Sequence, residues 1–195
     1  MAARNVKTAV KLIEEAWAKR WETMKSPPDS KEELQRNVDE VHQNLVEAVA
    51  ICRETGAKRE LVHALRKLGH VEQAAGREEA ARALYEEAVA VSRQQEDSLL
   101  LAHSVRHLGD VYREAGKAAE AEANYNEALA LYRKHGQPPA LDFANTIRPM
   151  AILKEEAAMI EEAKNLWREA RDLYEQVGIE EGVKECSDHL AQLSK

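Results

Sequence analysis

The chain has only two cysteines, Cys52 and Cys186, far apart and without a CxxC partner. That excludes a disulfide framework or a structural zinc site and leaves two reduced thiols in packing. Long apolar runs are missing as well. The opening MAARNVKTAVKLIEEAW is interrupted by charge, so neither a signal peptide nor a membrane span is expected, and a cytoplasmic location is. Positive charge is in deficit, with 28 Lys and Arg against 35 Asp and Glu and a net charge of −7. General nucleic-acid binding needs the opposite balance. Glycine is scarce, eight in all, and is spent mostly on turns, leaving none for a Gly-rich phosphate loop; no G-x-S-x-G occurs either. Paired carboxylates such as Glu14-Glu15, Glu78-Glu79 and Glu86-Glu87 have bases at helical spacing, as solvated helix faces do. No nucleophile constellation is visible. The chain is expected to be no enzyme and to carry no cofactor.

What is present is repetition. The stretch Leu100–Tyr132 reads as two amphipathic helices around a turn at Gly116. Leu108-Gly109, Gly116, Ala121, Tyr125 and Ala128 each fall forty residues after Leu68-Gly69, Gly76, Ala81, Tyr85 and Ala88. A third copy follows with Ala151 in place of the glycine, then Ala163, Trp167 and Ala170. An incomplete copy lies upstream at Val41, Leu45 and Ala48, and another begins at Leu190-Ala191. Small residues in register let paired helices approach, and large ones fill the space between hairpins. A single hairpin cannot bury its apolar face alone, so the copies must stack.

The set Leu108, Gly109, Tyr112, Ala121, Tyr125 and Ala128 resembles the tetratricopeptide repeat, over roughly residues 57–178. The first-helix tyrosine is replaced by Glu72 in copy one and Lys154 in copy three, and the closing proline is missing. The period exceeds the usual one of about 34 residues, as in the kinesin-light-chain-like branch. The resemblance implies an all-α, right-handed superhelical solenoid of antiparallel hairpins, about nine helices in all. Its expected parts are a capping pair at 1–56, repeats at 57–96, 97–137 and 138–178, and a capping helix at 179–195.

Taken in order, helix one is expected over 4–24, with Val6, Ala9, Ile13, Ala16, Trp17, Arg20 and Trp21 on one face. Trp17 and Trp21 are expected to pack against helix two. Ser26-Pro27-Pro28-Asp29-Ser30 ends helix one, and Asp29 or Ser30 caps helix two, about 31–54, whose inward residues are Leu34, Val38, Val41, Leu45, Ala48 and Val49. Turns follow at Thr55-Gly56, Gly76, Asp97, Gly116, Gly136-Gln137-Pro138-Pro139, Ala158 and Val177-Gly178. Pro149 falls inside a helical pattern, where it kinks the helix or sits in its early turns. The last helix, about 180–193, exposes Glu181, Lys184, Glu185, Asp188 and Gln192, as an end cap should.

On the first helix of each copy, register with the Leu-Gly pair gives four columns: His63, His103, Asn145; Arg66, Arg106, Arg148; His70, Asp110, Ile152; and Gln73, Arg113, Glu155. Three arginines at one register position in an acidic protein suggest a groove for carboxylate or phosphate, because the guanidinium fork binds such groups in bidentate fashion. The competing reading is that Asp110, Glu114 and Glu155 neutralise the arginines as structural ion pairs. His103 and His107 are one turn apart, a spacing that can hold zinc. With no H-E-x-x-H and His107 expected toward the helix edge, no metal is expected, and His63, His103 and Asn145 are assigned to hydrogen bonding with a bound peptide backbone.

The resemblance implies a scaffold that holds a protein or peptide partner, and the arginine column adds acidic groups to that partner. The alternative is a structural protein that dimerises through the Trp17/Trp21 helix or the Leu99-Leu100-Leu101 edge.

Overall fold

A computed structural model describes residues 5–194. Among them are nine α-helices and no strand: α1 (Val6–Lys25), α2 (Lys31–Thr55), α3 (Lys58–Ala74), α4 (Glu78–Ser92), α5 (Ser98–Glu114), α6 (Ala118–Lys134), α7 (Ala140–Glu156), α8 (Ile160–Gln176) and α9 (Glu180–Gln192). No helix is long and apolar enough to cross a membrane. Helix one was expected to begin at Arg4, which lies outside the described residues, as do the outermost ends of the two expected caps.

The chain forms two compact units, Met1–Glu96 and Asp97–Lys195. In the first, α1 pairs with α2 and α3 with α4, α2 packs on α3, and α1 lies beside α3. In the second, the hairpins are α5–α6 and α7–α8, α6 packs on α7, α5 touches α7, and α9 closes against α8.

Punctuation in the sequence sets the helix ends. Asn5 accepts from the Thr8 amide at 3.1 Å, Ser30 from the Glu33 amide at 3.3 Å and Asp97 from the Leu100 amide at 2.9 Å, so each caps the helix it precedes. The hairpin turns share one closure. The Lys117 amide donates to the Tyr112 carbonyl and the Met159 amide to the Lys154 carbonyl, both at 2.8 Å. This six-residue closure needs a left-handed residue within it. Gly116 supplies it at φ 71°, and in copy three Ala158 is forced to φ 57°. Pro149 sits inside α7, buried, without ending the helix, and removes one backbone donor from it.

The repeat register is a packing register. Ala81, Tyr85, Ala88, Ala121, Tyr125, Ala128, Ala163, Trp167 and Ala170 are all fully buried. A Cβ on Gly69 would come within 2.9 Å of the Tyr85 ring, and one on Gly109 within 2.8 Å of the Tyr125 ring. Gly182 of α9 repeats the device against Tyr174, at 2.6 Å. Cys52 and Cys186 are buried free thiols, and burial pushes both up to about 11, which keeps them protonated and inert.

The two departures from the tyrosine column are buried ions with partners. Glu72 is 6% exposed and accepts from Arg77 and from His42 Nε2, the latter at 2.6 Å. Burial alone would raise its pKa, but Arg77 and His42 outweigh burial and leave it below the ordinary glutamate value. Lys154, 8% exposed, reaches Glu122 at 2.7 Å and Glu162 at 3.4 Å.

Several expectations about facing are corrected. Trp21 is 67% exposed, and Trp17 meets α3, edge-on to His70 with ring centroids 5.8 Å apart. Helix periodicity identifies a face but not the helix that covers it, and α3 lies within reach of α1. Leu34 and Val38 are exposed rather than inward, because α3 is shorter than α2 and leaves its start uncovered, so that these residues line an open pocket with Met24 of α1. Glu185 does not simply face solvent: it turns onto Arg148 of α7.

Candidate functional site

The column residues of the second unit form a closed polar network. Arg106 donates from Nη1 to Asp110 Oδ2 at 3.0 Å, one turn along α5. Tyr125 of α6 donates its hydroxyl to the other Asp110 oxygen at 2.8 Å. Burial raises the Asp110 pKa even against Arg106 and Tyr125, so its charge is held at a cost. His107 does not point to the helix edge. It stacks on His103 with centroids 5.0 Å apart and accepts from Arg106, because a helical turn places both imidazoles beside the guanidinium.

On α7, Arg148 forms a bidentate pair with Glu185 of α9 at 2.6 and 2.7 Å, and this pair holds its pKa above the usual arginine value. Asn145 accepts from the Tyr174 hydroxyl at 2.8 Å. Glu155 accepts from Trp167 Nε1 at 2.9 Å and lies 3.0 Å from His189 Nδ1. Ile152 is half-buried, and so is Arg113 near the Tyr125–Asp110 pair. Asp110 therefore neutralises Arg106 as the structural reading expected. The partner of Arg148, Glu185, was assigned to solvent in the sequence, since nothing local links residues 37 apart.

The first unit differs. His63 and Arg66 are half-buried on α3, His70 is exposed, and Gln73 lies 3.4 Å from the Tyr85 hydroxyl. Two residues outside the columns join them. Lys67 places Nζ 3.7 Å from the centroid of Trp17, over its ring. Arg20 of α1 donates from Nη2 to His70 Nδ1 at 3.2 Å, with its guanidinium carbon 5.9 Å from the same indole. Among the described residues no carboxylate lies within ion-pair distance of Lys67 or Arg20. Burial, then Arg66, brings Lys67 down to about 8. Burial, then Arg66, Arg59 and Lys67, lowers His63, opposed by Glu60. Beyond burial, Arg66 adds to the lowering of Lys67, and Arg66, Arg59 and Lys67 add to that of His63, so basic groups lie near one another on this face. Lys67 was missed in the sequence because it has no counterpart in the repeat columns: the matching residue on α5 is His107.

Beside this cluster an apolar pocket of about 230 Å³ opens between α1 and α2, floored by Val41 and Val71 and rimmed by Met24, Leu34 and Val38. Arg20 lines it too.

A search of curated proteins finds no match to the sequence. The tetratricopeptide repeat family matches residues 60–134. Among solved structures, the chain is similar to the apo form of RapI, at 13% identity and a TM-score of 0.76 over 98% of this chain and 72% of that one. A Rap protein complexed with competence and sporulation factor aligns at 12% identity and 0.69, over 80% of this chain and 46% of that one. The nearly identical TPR-like repeats of a Podosopora anserina kinesin light chain align at 17% identity and 0.64, over 100% and 97%. The Leu-Gly, Ala and aromatic columns, the glycine contacts that explain them and the match over α3–α6 agree: residues 60–134 carry tetratricopeptide repeats, within a chain whose fold is similar to that of the TPR-like solved structures.

Proposed function

We propose that the chain is a protein-interaction scaffold whose first-helix faces bind an acidic peptide segment, through carboxylate side chains or a C-terminal carboxylate. The observation that carries this reading is the basic cluster of the first unit: Arg20, His63, Arg66 and Lys67 close together, in a protein of net charge −7. The solved Rap complex, a structure with the same fold, holds a factor. His63 and His70 would hold peptide backbone, with Gln73 at the far end of the face. In the second unit His103, Arg106, Asp110, Arg113, Asn145 and Arg148 would take part only by exchanging internal partners. Arg106 and Arg113 each keep a buried Nε–H without an acceptor among the described residues, which favours such an exchange.

The test is binding to a peptide library varied in charge, at low and moderate salt, with wild type, Lys67→Gln and Arg148→Gln. Acidic peptides should bind best, weaken with salt and lose affinity in Lys67→Gln. If the best ligands are basic or neutral, or neither substitution matters, the basic residues serve the fold alone.

A second reading is self-assembly through α1. Trp21 and Met24, 67% and 63% exposed, favour it. It predicts a mass that rises with protein concentration.

A further inference from the structure

The apolar pocket and the basic cluster of the first unit share a residue. Arg20 lines the pocket, and its guanidinium reaches His70 Nδ1 at 3.2 Å. Val71, in the pocket floor, directly follows His70 on α3. One helical turn before His70, Lys67 caps the Trp17 ring. The hole is lined mainly by carbon: Met24 and Leu34 stand at its mouth, 63% and 38% exposed. Its volume, about 230 Å³, suits one large aliphatic or aromatic side chain.

We propose that this is a two-part docking site for a short acidic segment of a partner protein, with one large apolar side chain in the pocket and adjacent carboxylates on Arg20, Lys67 and His63. The proposal rests on the acidic-peptide reading above and adds the apolar anchor to it. Charge complementarity selects the occupant. A neutral apolar ligand would leave Arg20 and Lys67 desolvated beside it, whereas carboxylates next to the anchor would compensate them. A buried side chain at the centre with charged contacts at the rim is also the arrangement that concentrates affinity in few residues.

The experiment uses fluorescence anisotropy with three labelled peptides: Asp/Glu-rich with one central Phe, the same with Ala in place of Phe, and the Phe peptide with Asp/Glu changed to Asn/Gln. The proteins are wild type, Val38→Glu and Lys67→Gln, each checked for helicity, and sedimentation is run in parallel. Val38 is 37% exposed, so its substitution should not disturb the core. The acidic Phe peptide should bind at least tenfold more tightly than either control. Val38→Glu should remove the Phe advantage, its added carboxylate weakening the Ala peptide only modestly by charge repulsion, and Lys67→Gln should weaken both acidic peptides. If both acidic peptides bind equally and Val38→Glu behaves as wild type, the anchor is wrong and the acidic-peptide reading stands. If no acidic peptide binds, that reading fails and the anchor with it. A concentration-dependent dimer abolished by Val38→Glu would assign the pocket to a second copy and overturn the proposal.

Discussion

Gly109 and Tyr125 are in contact so close that a Cβ on the glycine would lie 2.8 Å from the tyrosine ring. The ring is fully buried, and its hydroxyl is held by Asp110, so it cannot swing away. Helix propensity favours Gly109→Ala by roughly 1 kcal/mol, but the clash opposes it. The larger Gly109→Leu should cost on the order of 1–3 kcal/mol through overpacking. Thermal unfolding checks this, and combining Gly109→Ala with Tyr125→Leu should recover part of any loss. An unchanged melting temperature for Gly109→Leu would mean that the repeat register is misassigned.

Ala158 adopts the left-handed backbone that Gly116 provides in the preceding repeat. Ala158→Gly should therefore stabilise the protein by about 1 kcal/mol, since an L-residue there costs about 1–2 kcal/mol. Urea midpoints of wild type and variant measure it. A loss of stability would contradict the shared turn geometry.

Glu72 has a carboxylate held below its ordinary value by Arg77 and His42, against the opposing effect of burial. A depressed carboxylate contributes stability that is present above its unfolded pKa, about 4.3, and is lost as pH falls through the folded value. Wild type should exceed Glu72→Gln in stability at pH 7 and lose that margin as pH falls below the unfolded value and through the folded one. Denaturant unfolding across that pH range decides it, and a margin independent of pH would refute the ion-pair role.

Lys67 has the opposite sign. Burial and Arg66 bring it to about 8 from 10.5, so folding disfavours its charged form. The penalty is fully present below about 8 and is relieved as pH rises toward 10.5. Relative to Lys67→Met, wild type should gain stability between pH 7.5 and pH 10, by an amount on the order of 1 kcal/mol once partial exposure and the Trp17 contact are allowed for. Bound acidic peptide should abolish the gain by compensating the charge.

Local chemistry made the helices and turns legible. Ser30 and Asp97 cap where their side chains can reach, and Gly116 marks its turn by a conformation few other residues adopt. The Gly109–Tyr125 contact was legible because duplication printed the same pair at Gly69–Tyr85. The facing of Trp17 was not, since a 3.6-residue period says that a stripe is covered but not by which helix. The arginine column showed Arg106 and Asp110, one turn apart, as possible partners. It could not show that Arg148 meets Glu185 from another helix. Lys67 and Arg20 complete the basic cluster of the first unit, yet neither recurs at the repeat period, so the columns do not reveal them.

The most direct test is to map where a ligand lands. Backbone amide shifts of the full chain should be followed by nuclear magnetic resonance while an acidic peptide with one central Phe is titrated in. The account predicts saturable shifts concentrated on residues 17–24, 34–41 and 63–71. Shifts confined to α5, α7 and α9, or none at saturating peptide, would contradict it.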